Sequence, residues 1–162
     1  MTRDDDTRVV PGGLHLIDGA AIARLEASTA EEVLRALADR LDAAGAVTGS
    51  FTESVLAREQ KYPTGLPTVV PTAIPHTDPE HVLTPGIAVA TLARSVAFGE
   101  MGSSDRQVPA ELVVMLVLND PSAQLEALQT LISRLQDEAA VRQVLDAADD
   151  ADLARRVGAW LA

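Results

Sequence analysis

The chain has 162 residues and 47% hydrophobic content, which suits one domain with its own core and argues against a disordered chain. Aromatic residues make up only 2% and the net charge is -11, so nucleic acid and anionic membrane surfaces are disfavoured as partners. Cysteine is absent, which excludes disulfides, thiolate catalysis and Cys-type zinc sites.

The N-terminus, Met1-Thr-Arg-Asp-Asp-Asp6, lacks the basic-then-apolar pattern of a signal peptide, and the longest dense apolar run, Leu112 to Leu118, is too short to span a bilayer. A cytoplasmic protein is expected. Residues 1–13, ending in Pro11-Gly12-Gly13, read as a flexible tail, and residues 14–162 as the domain. His15 to Ile17 carries a weak strand signal. Thr29-Ala-Glu-Glu32 matches a capping box, with Thr29 as N-cap. Val33, Leu34, Leu37, Leu41 and Ala44 then recur at helical spacing, and Gly45 supplies the stop. Ser50-Phe-Thr-Glu53 repeats the box and opens a second helix through Val55, Leu56 and Arg58, which must end before Pro63.

Six prolines between Pro63 and Pro85 rule out a long helix there. Thr68–Val70 and Thr72–Ile74 read as short extended pieces. Ile87–Leu92 and Leu112–Leu118 are the two best strands, the second a continuous apolar run expected of a central strand covered on both faces. Asp120-Pro121 reads as an N-cap followed by proline at the first helical position, with Leu125, Leu128, Leu131, Ile132 and Leu135 forming a stripe. Asp137 caps a helix carrying Val141, Val144 and Leu145; Asp149 or Asp150 opens a last one with Leu153, Val157, Trp160 and Leu161. The order predicts an α/β fold: a single-domain layered mixed β-sheet flanked by helices.

Three histidines are candidates for chemistry. His15 lies near the tail and reads as a surface residue. His76 and His81 lie in the proline-rich segment, where loops on a rigid scaffold tend to carry function. In Ile74-Pro75-His76-Thr77-Asp78 the proline fixes the backbone, so the imidazole sits just past a strand end in a defined direction; such a histidine serves either as a nucleophile or as a turn residue. His76 and His81 with Asp78 and Glu80 as metal ligands would match neither a helical His-Glu-x-x-His site nor a closed tetrahedral set. No Gly-x-Ser-x-Gly elbow supports a serine hydrolase, and no Walker A or Gly-x-Gly-x-x-Gly loop supports nucleotide binding.

Arg58-Glu59, then Pro63-Thr64-Gly65-Leu66, then Ala73-Ile74-Pro75-His76-Thr77-Asp78, together with the later strand and its Gln-Leu-x-x-Leu helix, resemble the fructose/mannitol-type enzyme IIA family of bacterial sugar phosphotransferase systems. The resemblance runs from about Thr29 to the last helix and implies that family's fold. Mannitol and fructose branches place a second histidine at the start of the helix after the last strand. Here the matching residue is Gln124, which is similar to the galactitol-type branch, as is Phe98-Gly-Glu-Met-Gly102 after the strand.

The resemblance implies a phosphoryl relay. His76 accepts phosphate from the phosphorylated carrier HPr and donates it to a cysteine of an enzyme IIB subunit, for galactitol or a related carbohydrate. No metal, nucleotide or other cofactor is required, and the membrane enzyme IIC is reached only through IIB. Arg58 stabilises the charge of the moving phosphoryl group, or is an ordinary cation at a helix C-terminus. Thr64 donates a hydroxyl or fixes the other ring nitrogen of His76, or belongs to a turn. Gln124 hydrogen-bonds imidazole or phosphate, or solvates a first helical turn. Gly65 permits a close backbone approach or a turn, and His81 is structural. The alternative is a regulatory phosphohistidine module that signals to a protein partner without sugar transport; fold alone does not separate the two.

Overall fold

The computed structural model describes residues 14–162; the expected tail lies outside the described residues. Its elements are β1 (Leu16–Leu25), α1 (Ala30–Ala43), α2 (Phe51–Lys61), β2 (Gly65–Leu66), β3 (Thr72–Ala73), a 3-10 turn (Pro79–His81), β4 (Gly86–Gly99), β5 (Gln107–Val117), α3 (Pro121–Arg134), α4 (Glu138–Leu145) and α5 (Asp150–Leu161). The strands form one five-stranded sheet in the order β1-β4-β5-β3-β2. β1 runs parallel to β4 and β3 parallel to β5, whereas β4–β5 and β2–β3 are antiparallel, so the sheet is mixed as expected.

Side chains alternate across the sheet and divide the core in two. Val113, Met115 and Val117 of β5 join Ala88 and Ala90 of β4 beneath α1 and α2, against Val33, Leu34, Leu37, Phe51 and Val55. Leu112, Val114 and Leu116 join Ile87 and Val89 on the opposite face, against Leu131 and Leu135 of the α3 region, Val141 and Val144 of α4, and Leu153 and Val157 of α5. β5 is apolar on both faces because it lies between β4 and β3 with helices above and below.

Most caps form as the sequence expects. Thr29, Asp120, Asp137 and Asp149 each accept a backbone N–H from the first turn of their helix. Glu32 reaches back to the Ser28 N–H (2.8 Å), one residue before the expected partner. Gly45 takes φ +71 after α1, a conformation that favours glycine.

Several expectations are corrected. Ser50 makes no side-chain cap, because its hydroxyl is held by Thr48 (2.8 Å) and by His81 Nδ1 (2.7 Å). Thr68–Val70 is not a strand: the Thr68 hydroxyl donates to Val70 O (2.7 Å) and turns the chain locally. Phe98 and Gly99 end β4 itself, and only Glu100–Gly102 lies in the following hairpin loop. In the α3 stripe Ala127 and Leu131 are buried, while Leu125 and Ile132 are exposed, because the packed face is narrower than the stripe. His15 is half-buried rather than a surface residue.

Candidate active site

β3 ends at Ala73, and Ile74-Pro75 carries the chain out to His76 beside central strand β5. Two backbone bonds fix this exit: Leu116 N–H donates to Pro75 O (2.8 Å), and Ile74 N–H donates to Thr64 O (3.3 Å). His76 is 9% exposed. Its Nδ1 lies 3.0 Å from the Ile74 carbonyl oxygen. A carbonyl only accepts, so Nδ1 carries the proton and Nε2 is left with a free lone pair. Among the described residues Nε2 has no hydrogen-bond partner, and it is not sealed from solvent. Burial lowers the His76 pKa, with Arg58 adding to the effect, while the Ile74 carbonyl and Asp78 oppose it. The ring is therefore neutral at neutral pH and presents one nucleophilic nitrogen outward.

α2 supplies the cation. Arg58 sits near its C-terminal end, with Nη1 3.4 Å from Asp78 Oδ1 and the guanidinium 5.3 Å from the Tyr62 ring centre. Among the described residues its Nε is buried without a hydrogen-bond partner, and its charge lies near enough to His76 to lower that ring's pKa. One turn earlier, the Ser54 hydroxyl hydrogen-bonds the Thr77 hydroxyl and ties α2 to the residue after His76. The same helix face therefore holds the loop and presents the charge.

Thr64 faces away from solvent. Its hydroxyl donates to Glu59 Oε1 (2.9 Å), its N–H donates to Glu59 Oε2 (2.8 Å), and its Oγ1 accepts the Ile74 N–H (3.2 Å). Thr64 thus touches the Ile74 backbone rather than the imidazole. Gly65 is a close approach, since a Cβ there would lie 2.6 Å from Gly99 O. Gln124 stands on the first turn of α3 with its amide oxygen buried and unpartnered; it makes no side-chain hydrogen bond to His76. His81 is held by Ser50 and lies 3.7 Å from Glu80, outside this cluster. Among the described residues no three His, Asp or Glu side chains converge to hold a metal, and no helix is long and apolar enough to cross a membrane.

The structure unites His76, Arg58 and Thr64, and leaves Gln124 unconnected by hydrogen bonds. It also adds Ser54, and gives roles to Asp78 and Glu59, which the sequence motif contains. Glu59 had a further signal: Phe51, Val55 and Glu59 recur every fourth residue, so a carboxylate occupies the buried stripe of α2.

Residues 16–157 match the family described as "Phosphoenolpyruvate-dependent sugar phosphotransferase system, EIIA 2". The chain belongs to this enzyme IIA family. It is 29% identical over 106 residues to the galactitol-specific EIIA component of Escherichia coli K12, covering 65% of this chain and 70% of that one. Its fold matches enzyme IIA in the complex of enzyme IIAMtl with phosphorylated enzyme IIBMtl from Escherichia coli, with a TM-score of 0.71, 23% identity and coverage of 90% and 99% of the two chains. It also matches the nitrogen regulatory protein IIA-Ntr of Neisseria meningitidis, with a TM-score of 0.64, 15% identity and coverage of 90% and 97%. As an enzyme IIA the protein is a sugar phosphotransferase subunit, of a family that works through a phosphohistidine intermediate.

Proposed function

We propose that His76 is the phosphorylated residue, receiving the phosphoryl group of phosphorylated HPr on Nε2 and passing it to a cysteine of an enzyme IIB. The observation that carries this reading is the Nδ1–H donated to the Ile74 carbonyl, which commits Nε2 to the outside. As Nε2 attacks phosphorus, the donor's nitrogen–phosphorus bond breaks and its electron pair returns to the carrier's ring, which leaves neutral if its other nitrogen is protonated. The His76 ring gains positive charge, eased by the Ile74 carbonyl and Asp78, while Arg58 faces the phosphoryl oxygens. In the second step a cysteine thiolate attacks phosphorus and the electron pair returns to Nε2. No proton has to enter or leave His76 in either direction.

The galactitol-specific relative supports galactitol or a related carbohydrate as the sugar, and Gln124 in place of a second histidine fits that reading. The relay belongs in the cytoplasm, with membrane enzyme IIC reached through IIB. Incubation with phosphoenolpyruvate, enzyme I and HPr, followed by intact mass at neutral pH, tests the first step: wild type gains one phosphate and His76→Ala gains none. Onward transfer to the cysteine of a galactitol-type IIB tests the second. Tight binding to a regulator with no transfer to any IIB would support the regulatory reading instead.

A further inference from the structure

We infer that Glu59 is a positioning residue for His76, acting through the Thr64 hydroxyl and the Ile74 backbone. The inference rests on His76 being the reactive histidine. Three links lie in series, the first made of two hydrogen bonds. The Glu59 carboxylate accepts the N–H and O–H of Thr64, Thr64 Oγ1 accepts the Ile74 N–H, and the Ile74 carbonyl accepts Nδ1–H of His76. Each link has one polarity. With the Thr64 hydrogen committed to Glu59, Oγ1 faces Ile74 as an acceptor, and Ile74 is held where its carbonyl demands a protonated Nδ1.

A carboxylate is an expensive choice at this position. Glu59 is 8% exposed and occupies a site on α2 where Phe51 and Val55 indicate a hydrophobe. It meets no cation. Among the described residues Thr64 supplies all of its hydrogen bonds. Of the arginines lining the cleft it borders, Arg35 is held by Glu31 and Glu53, and Arg106 by Glu100; Asp105 completes the charged rim. Ionised Glu59 takes the Thr64 N–H and O–H on oxygens that carry no hydrogen and leaves Oγ1 as an acceptor toward Ile74, whereas a glutamine amide can also donate to Oγ1 and compete with the Ile74 N–H for it.

The test uses Glu59→Gln, Thr64→Val, Thr64→Ser and the double variant Glu59→Gln/Thr64→Val in the full chain, with two readouts. The first is the tautomer of unphosphorylated His76, read from imidazole nitrogen shifts by NMR. The second is the rate of phosphate uptake from HPr. Glu59→Gln and Thr64→Val should each lower the Nδ1–H population and slow uptake about tenfold, the size of one misplaced hydrogen bond. Thr64→Ser should behave as wild type, and the double variant should be no slower than the slower single. A wild-type tautomer and rate in both single variants would overturn the inference, as would additive losses in the double. If Glu59→Gln fails to fold, the Thr64→Val and Thr64→Ser pair decides by the same readouts. His76→Ala separates the two readings: full phosphate uptake in that variant removes the His76 assignment, while the tautomer measurement still decides the link from Glu59.

Discussion

The C-terminal helices and the proline-rich segment are built by opposite means. α3, α4 and α5 each begin at an aspartate that caps its own first turn, and each turns an apolar face to the sheet. Residues 63–85 hold only four residues of strand, and distant backbone fixes their path. Glu111 N–H donates to Pro71 O (2.8 Å), Leu116 N–H to Pro75 O (2.8 Å), Met101 N–H to Gly65 O (2.8 Å) and Leu83 N–H to Ala46 O (2.8 Å). Local signals stabilise the scaffold, and long-range bonds aim the site. Function and stability should therefore separate on mutation.

The separation is sharpest at His76: His76→Ala should abolish phosphate uptake while leaving the unfolding midpoint in denaturant close to wild type. Arg58→Ala should slow uptake about a hundredfold, the scale of removing one preorganised charge donor. Its half-exposed pair with Asp78 should cost no more than about 1 kcal/mol of stability, measured by the same unfolding curves. Leu131→Ala inverts the pattern. It removes a fully buried side chain beneath the sheet and should destabilise by about 2–5 kcal/mol, with normal uptake by the folded fraction.

Glu59 ties α2 to the start of the proline-rich segment and makes stability depend on pH. Burial pushes its carboxyl up to about 7 from the ordinary 4.5, against the Thr64 hydrogen bonds, which favour the charged form. The folded state thus keeps a proton that the unfolded chain has lost, so stability falls as pH rises through this window, by about 3 kcal/mol at most. Relative to Glu59→Gln, wild type should lose stability between pH 4.5 and 7 and hold a constant difference above it. A parallel pair of curves would mean that Glu59 ionises as readily in the fold as outside it. Smallest of all, Gln124→Ala should slow uptake only severalfold, since Gln124 makes no side-chain hydrogen bond to His76.

What could be read from the sequence follows the same division. The caps at Thr29, Asp120, Asp137 and Asp149, the central strand and the layered mixed sheet depend on neighbours along the chain, and all were legible. Ser50 misled because its hydroxyl bonds His81, 31 residues away. β1 gave a weak signal because register shifts on either side of Ala21–Ile22 break the period of two. In the site, Pro75 announced where His76 would sit. The tautomer was hidden, since Thr64 meets Ile74 only when β2 pairs with β3. Glu59 was visible as a charge on an apolar stripe, but its partner was not.

The most direct measurement is a phosphorus–nitrogen coupling spectrum of the phosphorylated protein with nitrogen-15 in its imidazoles. Phosphorus coupled to Nε2 of His76, with the proton remaining on Nδ1, is the predicted result. Coupling to Nδ1, or to a nitrogen of His15 or His81, would contradict it.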